Sequence, residues 1–303
     1  MRERLDSEAG DGTADGCVHM LSFDVEEYFQ VEAAAARVSA DDWTRYESRI
    51  RPCVERILDL LNGHRTQATF FVLGWVARRC GELVRAIADQ GHEIASHGMT
   101  HRMLQHIGPE GLRAELQDSR RLLEDLSGRP VVGFRAPTFS LTRRTAWGID
   151  VLADCGYSYD SSVYPVRHDR YGVPGAPRWA HWAVGPSGRA MIELPPLTTR
   201  VLRTNVPIGG GGYLRLLPAR LVGRAVSAAC RKGHPAMIYL HPWELDPGQP
   251  VLPMGRLSRW RHRVNLARTE RKLTWLLRRF AFGAAGSVAA GLQRQSLPRF
   301  SYG

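Results

Sequence analysis

From Val18 onward, short apolar runs alternate with longer amphipathic stretches, the arrangement that parallel strands adopt when helices cross between them. Met20-Leu21-Ser22-Phe23 is the first strand expected. Val54, Ile57, Leu58 and Leu61 then fall at the i, i+3, i+4, i+7 spacing of one helix face, and Gly63 supplies a C-terminal cap. Residues 68–73 predict a strand, Leu83, Val84 and Ile87 a helix, Glu93-Ile94-Ala95 a short strand, and Leu112, Leu116, Leu123 and Leu126 a helix ending at Gly128. Further strands are expected at 131–134, 157–159, 191–194 and 236–240, with helices through Ile149 and Leu152 and near 221–226. About seven strands, usually separated by helices, predict an α/β fold, a single distorted (β/α) barrel; spacing alone leaves a doubly wound sheet open.

The polar, glycine-containing residues 1–17 are expected to form a disordered extension. Residues 18–282 read as one catalytic domain that includes a basic C-terminal helical stretch, and 283–303 as a flexible tail. A chain of 303 residues with 44% hydrophobic content can bury a full core.

The formal net charge of +11 adds a preference for anionic partners without choosing among them. Much of it lies near the C-terminus, where Arg256, Arg259, Arg261, Arg263, Arg268, Arg271, Lys272, Arg278 and Arg279 face Glu270. Such a run reads as a solvated helix face or as a contact for a membrane surface or polyanion. Nucleic acid is not expected, since no reading module accompanies the charge. Five widely spaced cysteines without a C-x-x-C pair indicate neither a disulfide framework nor a thiolate zinc site, and so a reducing compartment. Acids at 6, 8, 11 and 15 stand where a secretory signal needs an apolar run, and residues 280–292 are short of the ~20 that a membrane span needs. The expectation is a cytoplasmic protein with peripheral contact at the inner face of the plasma membrane through the basic stretch.

Candidate chemistry lies at the predicted strand ends. His97 and His101 are four residues apart, so in a helical turn they share a face and can grip one metal ion. Asp24, Glu26 and Glu27 end the first strand, and alternation puts Asp24 and Glu26 on the same side, one to bind metal and the other to take a proton. Arg135, Asp160 and His241 end later strands. Singly they read as a surface cation, a turn or cap residue and a core histidine. Together they fall where barrel active sites gather. The glycines at 209–212 lack the spacing of a phosphate loop and read as a flexible loop over a groove, while Tyr213 and Trp243 offer aromatic rings on which a ligand could stack.

These segments, in this order, resemble the five motifs of the polysaccharide deacetylase family, the NodB-homology family of carbohydrate esterases, from roughly Val18 to Asp246. Ala68-Thr69-Phe70-Phe71-Val72-Leu73-Gly74 and Gly91-His92-Glu93-Ile94-Ala95 are similar to its supporting strands. Asp-Val-Glu-Glu-Tyr-Phe, His-Pro-Trp-Glu and Arg268-Thr269-Glu270 also resemble the exosortase-associated branch found with exopolysaccharide biosynthesis. The resemblance implies Asp24 as catalytic base, His97 and His101 as metal imidazoles, Arg135 as the group orienting the base, His241 as general acid, and Asp160 as support for the groove and the acid. The family's second aspartate is replaced by Val25, so the metal carboxylate passes to Glu26, by alternation and by similarity to members with D-x-D, with Glu27 as the alternative. Tyr239 stands where many members have a leucine lining the acetyl pocket, and Tyr164 near a position often held by tryptophan. Tyr164, Tyr213, Tyr239 and Trp243 are thus the expected substrate contacts. The implied function is a metal-dependent hydrolase, with Zn2+ as cofactor, that removes N-acetyl groups from amino sugars of an exopolysaccharide or its lipid-linked precursor. The alternatives are a related C–N hydrolase of a small amide and a non-catalytic glycan-binding relative.

Overall fold

A computed structural model describes residues 16–168 and 171–303, so the extension expected at 1–17 lies almost wholly outside the described residues. In chain order the elements begin β1 (Val18–Val25), α1 (Ile50–Gly63), β2 (Thr69–Val72), α2 (Gly74–Arg79), α3 (Gly81–Asp89), β3 (Glu93–Ser96), α4 (Leu104–Ser127), β4 (Gly133–Phe134), α5 (Trp147–Asp154) and β5 (Tyr159–Asp160). They continue with β6 (His181–Val184), β7 (Ala190–Glu193), β8 (Thr198–Val201), β9 (Thr204–Pro207), α6 (Gly211–Leu216), α7 (Ala219–Cys230) and β10 (Met237–Leu240). The last are α8 (Arg256–Arg263), α9 (Thr269–Leu277), β11 (Ala281–Gly283), α10 (Ala285–Leu292) and β12 (Arg299–Ser301).

The main sheet runs β10-β1-β2-β3-β4-β5-β7-β6-β12, with β11 pairing β1 off this path. Every pairing from β10 to β7 is parallel, and these strands are the ones the apolar runs predict. Strands buried on both faces read as continuous apolar runs, which is why β1 is buried from His19 to Val25. Helices α1, α3 and α4 pack Val54, Ile57, Leu83, Ile87, Leu112 and Leu116 into the largest core cluster. The antiparallel strand β6 and the separate β8–β9 hairpin were not legible in that pattern.

Among the described residues the strand ladder runs from β10 to β12. Irregular segments span the gap between β7 and β10: Leu197 N donates to Met237 O at 2.9 Å, Gly209 N to Leu197 O at 2.9 Å, and Tyr239 N to Gly209 O at 2.9 Å. The glycine run expected as a flexible loop over the groove is therefore packed against β10 at Gly209 and Gly210, and Gly212 lines the groove. A Cβ at Gly210 would lie 2.2 Å from the Tyr239 ring and 2.4 Å from its carbonyl oxygen, so only glycine allows this approach.

Residues 283–303, expected as a flexible tail, are part of the fold. Small residues let α10 cover the N-terminal ends of the strands, where Ala285 N donates to Thr69 Oγ1 at 2.7 Å and Gly286 N to Glu93 Oε2 at 2.9 Å. Strand β12 pairs β6, and the Tyr302 hydroxyl meets His181 Nε2 at 2.7 Å. The cysteine expectation is also corrected, because Cys17 and Cys230 form a disulfide across 213 positions, leaving Cys53, Cys80 and Cys155 free. That removes the cysteine argument for a reducing compartment. Among the described residues, no helix is long and apolar enough to cross a membrane.

Candidate active site

The opposite, C-terminal ends of the parallel strands gather the polar side chains. Asp24 is the penultimate residue of β1, and Glu26 follows the strand. The next rungs of the ladder hold three more positions: His97 N donates to Val72 O at 3.0 Å, Arg135 N to Ser96 O at 3.0 Å and Ser161 N to Phe134 O at 2.9 Å. Site residues are thus fixed by sheet hydrogen bonds, and His241 follows β10 directly.

Glu26, His97 and His101 are buried, and one ligand atom from each lies within 4.8 Å of the others. His101 Nε2 is 2.5 Å and His97 Nε2 3.6 Å from Glu26 Oε2. His97 Nδ1 donates to the Arg135 carbonyl at 2.8 Å, which leaves Nε2 as the ligand atom. Two imidazoles and a carboxylate with an open side fit a catalytic divalent metal ion. Burial alone would raise the Glu26 pKa, but His101 and His241 hold it well below the ordinary carboxylate value. Burial would lower His101, yet Glu26 outweighs it and raises it.

The two histidines do not share a helical turn, because α4 starts only at Leu104. Gly98 and His101 take left-handed φ values of 75° and 55°. The loop is held by Glu115 of α4, whose Oε2 accepts Met99 N at 2.8 Å and Thr100 N at 3.3 Å. Backbone strain at His101 is thereby tolerated where two ligands must converge.

Arg135 is fully buried, and its Nη1 reaches Asp24 Oδ1 at 2.5 Å and Ser22 Oγ at 2.9 Å. Ser161 accepts from Nε through its carbonyl at 3.1 Å and from Nη2 through its hydroxyl at 2.9 Å. The Phe71 ring lies 4.1 Å from the guanidinium carbon. A buried ion pair persists only with such additional hydrogen bonds, and this one fixes one Asp24 oxygen while the other faces His241 Nε2 at 3.9 Å.

His241 Nε2 is also 3.7 Å from Glu26 Oε1. Its Nδ1 donates to Glu244 Oε1 at 2.8 Å, and Glu244 Oε2 accepts Arg215 Nε at 2.7 Å. Pro242 opens a 3-10 turn over Pro242–Leu245 that brings the carboxylate three residues on back to the imidazole. Burial opposes a charged imidazole, but the Glu244 hydrogen bond and the charges of Glu26, Glu244 and Asp24 push His241 up to about 9. Burial also opposes the Glu244 charge, but Arg215 and His241 hold its pKa down. Sequence reasoning quoted His-Pro-Trp-Glu without giving Glu244 or Arg215 a role; the i+3 carboxylate behind a Pro-initiated turn was the usable signal.

Three expected residues stand elsewhere. Glu27 turns away from the histidines and accepts the Ser48 hydroxyl, Arg49 N at 3.0 Å and Ile50 N at 3.4 Å, so it caps α1. Asp160 accepts the Ser162 hydroxyl and faces Glu193 across the β5–β7 register, instead of supporting His241. Burial raises the Asp160 carboxyl to about 6 and Glu193 well above its usual value, the latter also through Asp160. Tyr164 is fully buried among Phe139, Tyr171 and Tyr239 and does not line the groove. Tyr213, Tyr239 and Trp243 do line it, beside Asp24, Glu26, His97, His101 and His241, in a cavity of about 1050 Å³. Trp243 stacks on His241 with ring centroids 5.0 Å apart and 21° between planes.

Residues 38–159 match the polysaccharide deacetylase family model, and 161–290 match a domain of unknown function, DUF3473. A chitooligosaccharide deacetylase of Rhizobium leguminosarum bv. trifolii is 32% identical over 134 residues, 44% of this chain and 52% of that protein. A peptidoglycan deacetylase of Helicobacter pylori is 27% identical over 165 residues, 54% and 55% of the two chains. The chain thus spans about half the length of these relatives. A Mycobacterium smegmatis protein described as a polysaccharide deacetylase shares the fold, with a TM-score of 0.62 and 22% identity over 95% of this chain and 94% of that one. Residues 38–159 are thus similar to the polysaccharide deacetylase family, and the curated relatives that match the chain are deacetylases.

Proposed function

We propose that this chain is a metal-dependent N-deacetylase acting on amino sugars of a glycan, with an exopolysaccharide or its lipid-linked precursor as substrate. The observation that carries the reading is the meeting, in one groove, of the Glu26–His97–His101 group, the Asp24–Arg135 pair and the His241–Glu244 pair. The DUF3473 match over His-Pro-Trp-Glu supports the exosortase-associated branch.

Zn2+ held by Glu26, His97 and His101 would supply Lewis acidity and an acidified water. Asp24, with one oxygen fixed by Arg135, would use its other oxygen to take a proton from a water attacking the amide carbon. His241, kept protonated by Glu244, hands a proton from Nε2 to the departing amine nitrogen, since an unprotonated amine is a poor leaving group. Tyr239 narrows the groove beside these groups, and Trp243 braces the imidazole while Tyr213 offers a ring to a sugar face. Asp160 supports the groove wall through Ser162, whose hydroxyl accepts Ala136 N at 2.7 Å.

A small amide is the second reading. The cavity, at about 1050 Å³, exceeds what one acetamide needs and favours an oligomer. Peripheral membrane contact is assigned to α8, where Leu257 and Trp260 are exposed beside Arg256 and Arg259. Acetate release from N-acetylhexosamine oligomers of increasing length tests the proposal: turnover that rises with length supports it, and turnover confined to small amides refutes it.

A further inference from the structure

The groove walls carry charge that the proposed chemistry does not use. Arg167, on the segment after β5, and Arg261, on α8, line the same cavity as Asp24, Glu26 and His241. Both are exposed, and among the described residues neither guanidinium has a hydrogen bond or ion pair. Arg215, which also lines the cavity, is committed to Glu244. Among the described lining residues, Glu32 is the one carboxylate besides Asp24 and Glu26. The reacting centre is therefore acidic, whereas two uncommitted guanidiniums from separate elements stand along the walls.

An uncharged chito-oligomer gives such groups nothing to pair with. A planar guanidinium matches a carboxylate or phosphate with two parallel hydrogen bonds, and Trp260, 53% exposed on the same helix, can take the apolar face of a neighbouring sugar. We propose that the groove binds an N-acetylated glycan segment bearing an anionic group, a uronate carboxylate or a phosphate, which Arg167 and Arg261 recognise beside the reacting sugar. The inference rests on the deacetylase reading and names its substrate class.

Calorimetric binding to the metal-loaded Asp24→Asn protein tests it with three tetrasaccharides: neutral N-acetylglucosamine, the same with a terminal phosphate, and one alternating with glucuronate. One or both anionic ligands should bind roughly ten-fold tighter than the neutral one, with the preference shrinking as salt is added. The favoured arm identifies the anion. In the Arg167→Gln/Arg261→Gln double variant the preference should fall toward one. Equal binding of all three, binding of none, or a preference that survives the double substitution overturns the proposal. Loss of binding to anionic phospholipid vesicles in the double variant, with no glycan preference in either protein, overturns it in favour of a membrane surface. Acetate release by the wild-type protein is read separately: an intact anionic preference without turnover sinks the deacetylase reading and not the binding one.

Discussion

Glu244 Oε1 lies 2.8 Å from His241 Nδ1, and the same carboxylate takes Arg215 Nε at 2.7 Å through its other oxygen. An imidazole held between this carboxylate and the acids of the cleft keeps its proton up to about pH 9. His241 is the acid in the proposed reaction, so kcat should hold below its pKa and fall as pH rises through it. A cation on Glu26 offsets that carboxylate's share, placing the limb at or below about 9. Glu244→Gln removes a raising charge and should move the alkaline limb to lower pH, while Glu244→Asp should move it less. A limb that stays in place in the glutamine variant would show that Glu244 does not control His241.

Asp24 and His241 are outside the group of donor atoms around Glu26. Asp24→Asn and His241→Ala should each lower acetate release by roughly 10²- to 10⁴-fold, the usual contribution of a positioned acid or base. Metal content measured on the same preparations should remain close to that of the unaltered protein. Full activity in either variant removes the role given to that residue.

Neighbouring carboxylates should behave oppositely. Glu26→Gln should lose bound metal, because Glu26 is the acid in the His97–His101 group. Glu27→Gln should keep it but unfold more easily by about 0.5–2 kcal/mol, the range for loss of a helix-capping acceptor. Metal stoichiometry and denaturant midpoints separate the two, and loss of metal in the Glu27 variant alone would reverse the assignment.

The Cys17–Cys230 bond predicts three titratable thiols out of five in protein denatured without reductant. Cys230→Ser should cost about 2–4 kcal/mol of stability, since the bond closes a long loop in the unfolded chain. Five free thiols in the purified protein would contradict the pairing.

What was legible in the chain follows from burial. Parallel strands such as β1 and β10 are hidden on both faces, so their apolar runs stand out. His97 and His101 were found by spacing, although a left-handed loop held by Glu115, not a helical turn, brings them together. Strand β6 was missed because it alternates buried and half-buried residues at an antiparallel position. Helix α10 was missed because Ala285, Ala289 and their small neighbours are apolar on most sides and give little helical periodicity, yet small size is what lets the helix sit over the strand ends. Glu27 and Glu26 are adjacent in sequence, and only the position of the α1 amides tells which one turns aside. No spacing rule pairs cysteines 213 positions apart.

The central claim is that one cation shared by Glu26, His97 and His101 makes the groove an amide hydrolase. Acetate release from an N-acetylglucosamine oligomer, followed while zinc is titrated into chelator-stripped protein, tests it most directly. The account predicts no turnover at zero metal and a rise that levels off at about one ion per chain. Turnover that is undiminished in stripped protein, or that fails to return with any divalent metal, would contradict it.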